Sequence, residues 1–224
     1  MSTTVHRFEL ECNPIQLPTD VAQCHLYVWE HQFTPEVVQQ IAIKNGVEIP
    51  SQTSPIRMLE HLSIRIMLKQ LLGPTANICY TPNGKPRLIH PAAAYEISIS
   101  HTQGAFALSF SPRSHGIDIE RISQRAYMLR NKFLTESEQA IDIFPQEHLP
   151  EENATALWCA KEAAFKAFSS EQLTLITQIS LAFHRNRGLI ASTNCKEKVS
   201  APVSIYRMNN LMITVCESDK QAFV

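Results

Sequence analysis

The chain has 224 residues, 44% of them hydrophobic and 18% charged, with a formal net charge of −1, so it can bury a core in one large domain or two smaller halves. A near-neutral balance excludes a broad nucleic-acid-binding surface but not a local basic pocket, which needs only a few Lys and Arg. No apolar run approaches the roughly 18 residues of a membrane span, and Met1 to Leu17 lacks the pattern of a signal peptide.

These features lead us to expect a cytoplasmic chain. The six cysteines, Cys12, Cys24, Cys79, Cys159, Cys195 and Cys216, contain no Cys-x-x-Cys pair. They read as reduced, small core residues, with neither a disulfide framework nor a zinc site.

Cys24 to Glu30 alternates as a strand, and Pro35 to Lys44 has helical spacing with a proline suited to a first turn. A long helix is expected from Pro55 to Leu72, with Ile56, Leu59, Leu62, Ile66 and Leu72 as its core stripe and Gly73-Pro74 as its stop. Arg57, His61 and Arg65 share one face of it, either a solvated stripe or part of a basic pocket. A turn at Asn83-Gly84 leads to Lys85 and Pro86, and Tyr95 to Ser100 alternates as a strand. A second strand runs through Phe106, Leu108 and Phe110, with Ser100-His101-Thr102 between the two.

Gly116-Ile-Asp118-Ile-Glu120 places two carboxylates on one side of a strand. Close carboxylates repel, so the pairing makes sense around a hard divalent cation, while a solvated edge strand explains it equally well. Thr135 with Glu138 three residues on is a capping box, and Pro145 and Pro150 bracket a loop before the next helix.

That helix carries Trp158-Cys-Ala-Lys161-Glu162-Ala-Ala-Phe-Lys166. Glu162 and Lys166, four apart, lie side by side, with Lys161 turned about 100° away. The pair has an ordinary explanation as a helix-stabilising contact of a few tenths of a kcal/mol. Trp158 and Phe165 read as core anchors for the helix. Strands follow at Leu175 to Phe183, Leu189 to Ser192, Val203 to Arg207 and Leu211 to Cys216, with turns at Asn186-Arg-Gly188 and Asn209-Asn210.

The set gains meaning in combination. Asp118, Glu120 and Glu162 supply three oxygen ligands of the kind Mg²⁺ prefers when it also meets phosphates. Arg57, Lys85, His101, Lys161 and Lys166 are candidate phosphate binders, a composition suited to transfer at a pyrophosphate.

In order, Arg57-x-x-Glu60-His61-Leu-x-x-Arg65, Gly84-Lys85-Pro86, Ser98-Ile-Ser100-His101-Thr102, Gly116-Ile-Asp118-Ile-Glu120, Phe133-Leu-Thr135-x-x-Glu138 and Trp158-Cys-x-Lys161-Glu162-Ala-x-x-Lys166 resemble the motifs of the 4′-phosphopantetheinyl transferases, in the larger Sfp-type branch. The match covers residues 57 to 166. The resemblance implies an α+β fold, a pseudo-dimer of two similar α/β halves, 1–112 and 113–224, with the active site between them and a working monomer. It implies an enzyme of the holo-[acyl-carrier-protein] synthase type. Its substrates would be coenzyme A and an apo acyl or peptidyl carrier protein, with Mg²⁺ as cofactor and Mn²⁺ able to replace it, and neither nucleic acid nor membrane as partner.

Carried over by residue, Asp118, Glu120 and Glu162 would hold the metal. Glu162 would take the serine proton directly or through water, Lys166 would serve the leaving 3′,5′-ADP, and Lys161 would help neutralise the phosphates. Ser100, His101 and Thr102 would bind phosphate, Lys85 would approach the nucleotide, and Arg57 would lie near the 3′-phosphate or adenine. Two rivals remain: a non-catalytic carrier-protein or coenzyme A binding module of the same fold, and another Mg²⁺-dependent phosphate enzyme.

Overall fold

The alternating and helical patterns resolve into two units, Met1–Pro112 and Arg113–Phe223, in a computed structural model that describes residues 3–10, 24–51, 54–90, 95–144, 149–168, 178–194 and 198–221. Both units mix helices and sheets, so the chain is α+β.

The first unit contains β1 (Thr3–Arg7), β2 (Cys24–Glu30), α1 (Pro35–Lys44), α2 (Pro55–Leu72), β3 (Asn77–Tyr80), β4 (Pro86–Ile89), β5 (Glu96–Thr102) and β6 (Ala105–Ser111). Its main sheet has the order β1-β2-β6-β5, with β1 parallel to β2 and the other pairs antiparallel. Ser54 caps α2 by accepting a hydrogen bond from the Arg57 amide, and Gly73 ends the helix at φ 93°, a conformation glycine adopts without a Cβ penalty. Leu62, Ile66, Met67, Leu68 and Leu71 are buried in one core with Trp29, Phe106 and Phe110.

Two expectations change here. Ile56 is 73% exposed because it sits in the first turn of α2, beyond the reach of the core, whereas Leu59 and Leu72 pack against it. His101 and Thr102 belong to the end of β5, paired with Phe106 and Ala105, so the strands are joined by Gln103-Gly104 alone. Strand β1 was not legible in the sequence. Thr3 to Val5 and His6 are all half-buried, so the segment has no buried–exposed alternation to read.

The second unit contains β7 (Arg113–Arg121), α3 (Gln124–Leu129), a 3-10 turn (Arg130–Lys132), α4 (Glu136–Gln139), α5 (Pro150–Phe168), β8 (Ile179–His184), β9 (Gly188–Thr193), β10 (Ser200–Met208) and β11 (Leu211–Gln221). The sheet order is β7-β11-β10-β9-β8, every neighbour antiparallel, and α5 packs against it. Antiparallel neighbours need only short turns, which Asn209, at φ 53°, and Gly188 help to supply.

Helix α5 buries alanines, at 154, 156, 160, 163, 164 and 167, rather than its aromatics. Trp158 and Phe165 are only partly buried, with Trp158 edge-on to Phe133 at 4.9 Å between ring centres. Small side chains let the helix approach β7 so closely that a Cβ on Gly116 would lie 2.1 Å from the Ala163 carbonyl oxygen and 2.6 Å from the Ala167 nitrogen. Leu175 to Thr177 of the last expected strands, Pro145, Cys12 and Cys195 lie outside the described residues. Among the described residues, no helix is long and apolar enough to cross a membrane.

Candidate active site

Period-two alternation along β7 turns residues 116, 118 and 120 to one face, and the Gly116 contacts identify it as the face that meets α5. Asp118 is therefore buried beneath the helix, and Glu120, two residues nearer the strand end, is partly exposed. From α5, Lys166 reaches back to β7. Its ammonium donates to Asp118 Oδ1 at 2.9 Å and to the Ile117 carbonyl at 2.9 Å.

Glu162 on α5 is near enough to Asp118 and Glu120 to feel the charge of both. Its pKa is raised, first by burial and then by the charge of Asp118; Lys166 opposes the shift, and Glu120 adds to it. The upward shift means that burial, together with the neighbouring carboxylates, disfavours the ionised Glu162.

An oxygen-only set of this kind suits a hard divalent cation such as Mg²⁺ or Mn²⁺, whose charge would relieve the repulsion. Among the described residues, no three His, Cys, Asp or Glu side chains are already drawn together tightly enough to hold a metal ion. The donor chemistry fits the cation, and Lys166 provides part of the compensating charge.

Cys159, expected as a small core residue, is buried with its thiol donating to the Met212 carbonyl at 3.9 Å, near enough to Asp118 to feel its charge. Burial, followed by the charges of Asp118 and Glu120, pushes its pKa well up, so the thiol remains protonated and able to donate. No motif in the sequence pairs Cys159 with Met212, because the contact depends on the depth at which α5 packs.

Lys161 lies apart from this cluster. It is fully buried, with its ammonium 2.8 Å from Glu138 Oε2 and 3.0 Å from the Ile179 carbonyl oxygen. Glu138 also accepts from the Leu181 amide at 2.9 Å and from the Thr135 amide at 2.8 Å, while Thr135 Oγ1 accepts from the Glu138 amide. The capping box predicted for Thr135 and Glu138 is present, and Glu138 has the additional role of receiving a buried lysine.

The remaining candidates belong to the first unit. Arg57 is exposed in the first turn of α2, and Lys85 pairs with Glu96 at 2.6 Å. His101 Nδ1 lies 3.3 Å from Glu60 Oε1, which links two of the quoted motifs. Ser100 is buried in β5, and Thr102 is half-buried at its end. His61 has a lowered pKa, caused first by burial and then by Arg65.

A cavity of about 690 Å³ opens beside Glu120 within the second unit. Leu129, Phe133 and Trp158 give it an apolar wall, and Arg121, Arg125 and Lys132 give it cationic groups. Arg125 and Lys132 were missed by sequence reading, since isolated basic residues in a short helix and turn carry no pattern of their own.

Residues 114–216 match the family model of the 4′-phosphopantetheinyl transferase superfamily. The chain therefore carries a domain of that transferase superfamily, spanning β7, α5 and most of the second sheet. No curated protein matches the chain closely enough to be taken as a relative.

Proposed function

We propose that this protein transfers the 4′-phosphopantetheine group of coenzyme A to a serine of an apo acyl or peptidyl carrier protein, releasing 3′,5′-ADP. The observation that carries the reading is the facing of Asp118 and Glu120 on β7 with Glu162 and Lys166 on α5, Lys166 paired to Asp118, inside the matched superfamily domain. Asp118, Glu120 and Glu162 would hold Mg²⁺ or Mn²⁺, which would supply charge neutralisation at the pyrophosphate.

In the reaction, the serine oxygen forms a bond to the β-phosphorus while the bond from that phosphorus to the bridging pyrophosphate oxygen breaks. The electron pair leaves with 3′,5′-ADP. Glu162 accepts the serine proton directly or orients the water that does; a bound cation stabilises its charged form and weakens it as a base, which favours the orienting role. Lys166 neutralises the charge that develops on the leaving group.

Arg57, Lys85, Ser100, His101 and Thr102 are assigned to the nucleotide and phosphates of coenzyme A. The pseudo-dimeric organisation and the monomeric working state belong to the same proposal, as does a cytoplasmic location. The cavity beside Glu120, apolar on one wall and cationic on another, suits a substrate that joins an uncharged arm to phosphates.

The test is to incubate the protein with apo carrier proteins, coenzyme A and Mg²⁺ and to weigh the carriers by mass spectrometry. Gain of one phosphopantetheine group supports the reading, and no gain with several acyl and peptidyl carriers overturns it. Nucleotide breakdown without any carrier would instead identify a Mg²⁺-dependent phosphate hydrolase.

A further inference from the structure

We infer that Lys161 is a positioning residue, which together with Glu138 locks helix α5 in the rotation that points Glu162 at Asp118. The inference rests on the transferase reading above and departs from the phosphate-binding task expected of Lys161. Its first support is burial: the Lys161 side chain has no exposure, and a buried ammonium persists only when its donors find acceptors. Glu138 at 2.8 Å and the Ile179 carbonyl at 3.0 Å supply acceptors.

Its second support is connectivity. Glu138 binds through one oxygen to the Leu181 amide of β8, and through the other to Lys161 and the Thr135 amide at the start of α4. The edge strand β8, the capped turn α4 and the middle of α5 therefore meet in one buried group. The tie is made at the residue immediately before Glu162, and consecutive helical residues are separated by a fixed rotation of about 100°.

Holding Lys161 toward β8 and α4 thus holds Glu162 toward β7. Farther round the helix, Lys166 on Asp118 and the Ile117 carbonyl gives a second tie, so two lysines about 140° apart secure different sides of α5.

The experiment compares the wild-type protein with Lys161→Met/Glu138→Gln, which removes both buried charges while Glu138→Gln keeps one acceptor oxygen. Circular dichroism and thermal melting establish folding, steady-state transfer separates kcat from KM for coenzyme A, and a crystal structure reports the Lys166–Asp118 contact. The expected result is a folded double variant with kcat lowered at least tenfold, KM for coenzyme A within about twofold of wild type, and the contact lengthened beyond hydrogen-bond distance.

An unchanged kcat with the contact intact overturns the inference and leaves Lys161 a purely structural residue. A raised KM with unchanged kcat also overturns it and returns Lys161 to the phosphates. If the double variant does not fold, Glu138→Asp, which keeps the charge but shortens the arm that reaches Lys161, replaces it; a two- to fivefold fall in kcat is expected, and no fall overturns the inference. Absence of transfer by the wild-type protein defeats the transferase reading instead, and the crystal structure then tests the positioning role alone.

Discussion

Lys161 and Lys166 lie five residues apart on one helix, each within 2.9 Å of a carboxylate, yet they occupy different physical situations. The Lys161–Glu138 pair is sealed and its groups are satisfied on both sides. The Lys166–Asp118 pair is partly open, with the Lys166 side chain 29% exposed, and stands beside two further carboxylates. A sealed, satisfied pair fixes geometry, whereas an open pair in an excess of negative charge is prepared to receive cations and phosphates. The difference separates scaffold from chemistry within a single helix.

Breaking the sealed pair should have the largest effect on stability. Lys161→Met alone strands Glu138 as a buried charge, and a loss of about 3–5 kcal/mol is expected by denaturant unfolding. Lys166→Met should cost less, about 1–3 kcal/mol in the same measurement, because it also leaves Asp118 buried without its counter-charge but removes a lysine that is itself partly solvated. Similar losses for both would erase the contrast.

The open side should dominate activity. Glu162→Gln is expected to lower transfer by roughly 100- to 1,000-fold, equivalent to about 3–4 kcal/mol of transition-state stabilisation, with an unchanged circular dichroism spectrum. Full activity in that variant would remove Glu162 from the reaction.

Gly116→Ala tests the packing that brings both sides together. Its new Cβ would meet the Ala163 carbonyl at 2.1 Å, so α5 must move away from β7. A loss of about 1–3 kcal/mol is expected, together with reduced transfer. Stability and activity equal to wild type would show that the close approach is not needed.

The smallest expected effect concerns pH. The raised pKa of Glu162 means that its ionised form is disfavoured in the folded chain, so the penalty is absent at acid pH and grows as pH rises through the raised value. Without divalent cations, Glu162→Gln should therefore melt a few degrees above wild type at neutral pH, and the gap should close below the ordinary carboxylate range. A gap that widens on acidification would contradict the charge cluster.

His31 supplies an opposite case in the first unit. Burial holds its pKa down at about 4, from 6.5, while it shares a 3.0 Å hydrogen bond with Ser63. The neutral form is the one the fold accepts, so stability from this site is present above pH 6.5 and is lost as pH falls toward about 4. Thermal melts of His31→Gln should lack that component.

The sequence by itself determined most of the elements, though not β1 or α3. Repeating apolar positions, the Pro55 and Pro150 starts, the Gly73 stop and the Thr135–Glu138 capping box are local signals, and each appears in the structure where its spacing puts it. It also placed Asp118 and Glu120 on one side of a strand, and Glu162 beside Lys166, because helix and strand periods follow from backbone geometry. Periodicity assigns a residue to a face but cannot say what covers that face. Only tertiary packing decided that Lys161 meets Glu138, 23 positions earlier by the sequence, that the Cys159 thiol reaches the Met212 carbonyl, and that Gly116 admits the backbone of α5. Those contacts depend on how deeply one element seats on another, which the volumes of many side chains set together.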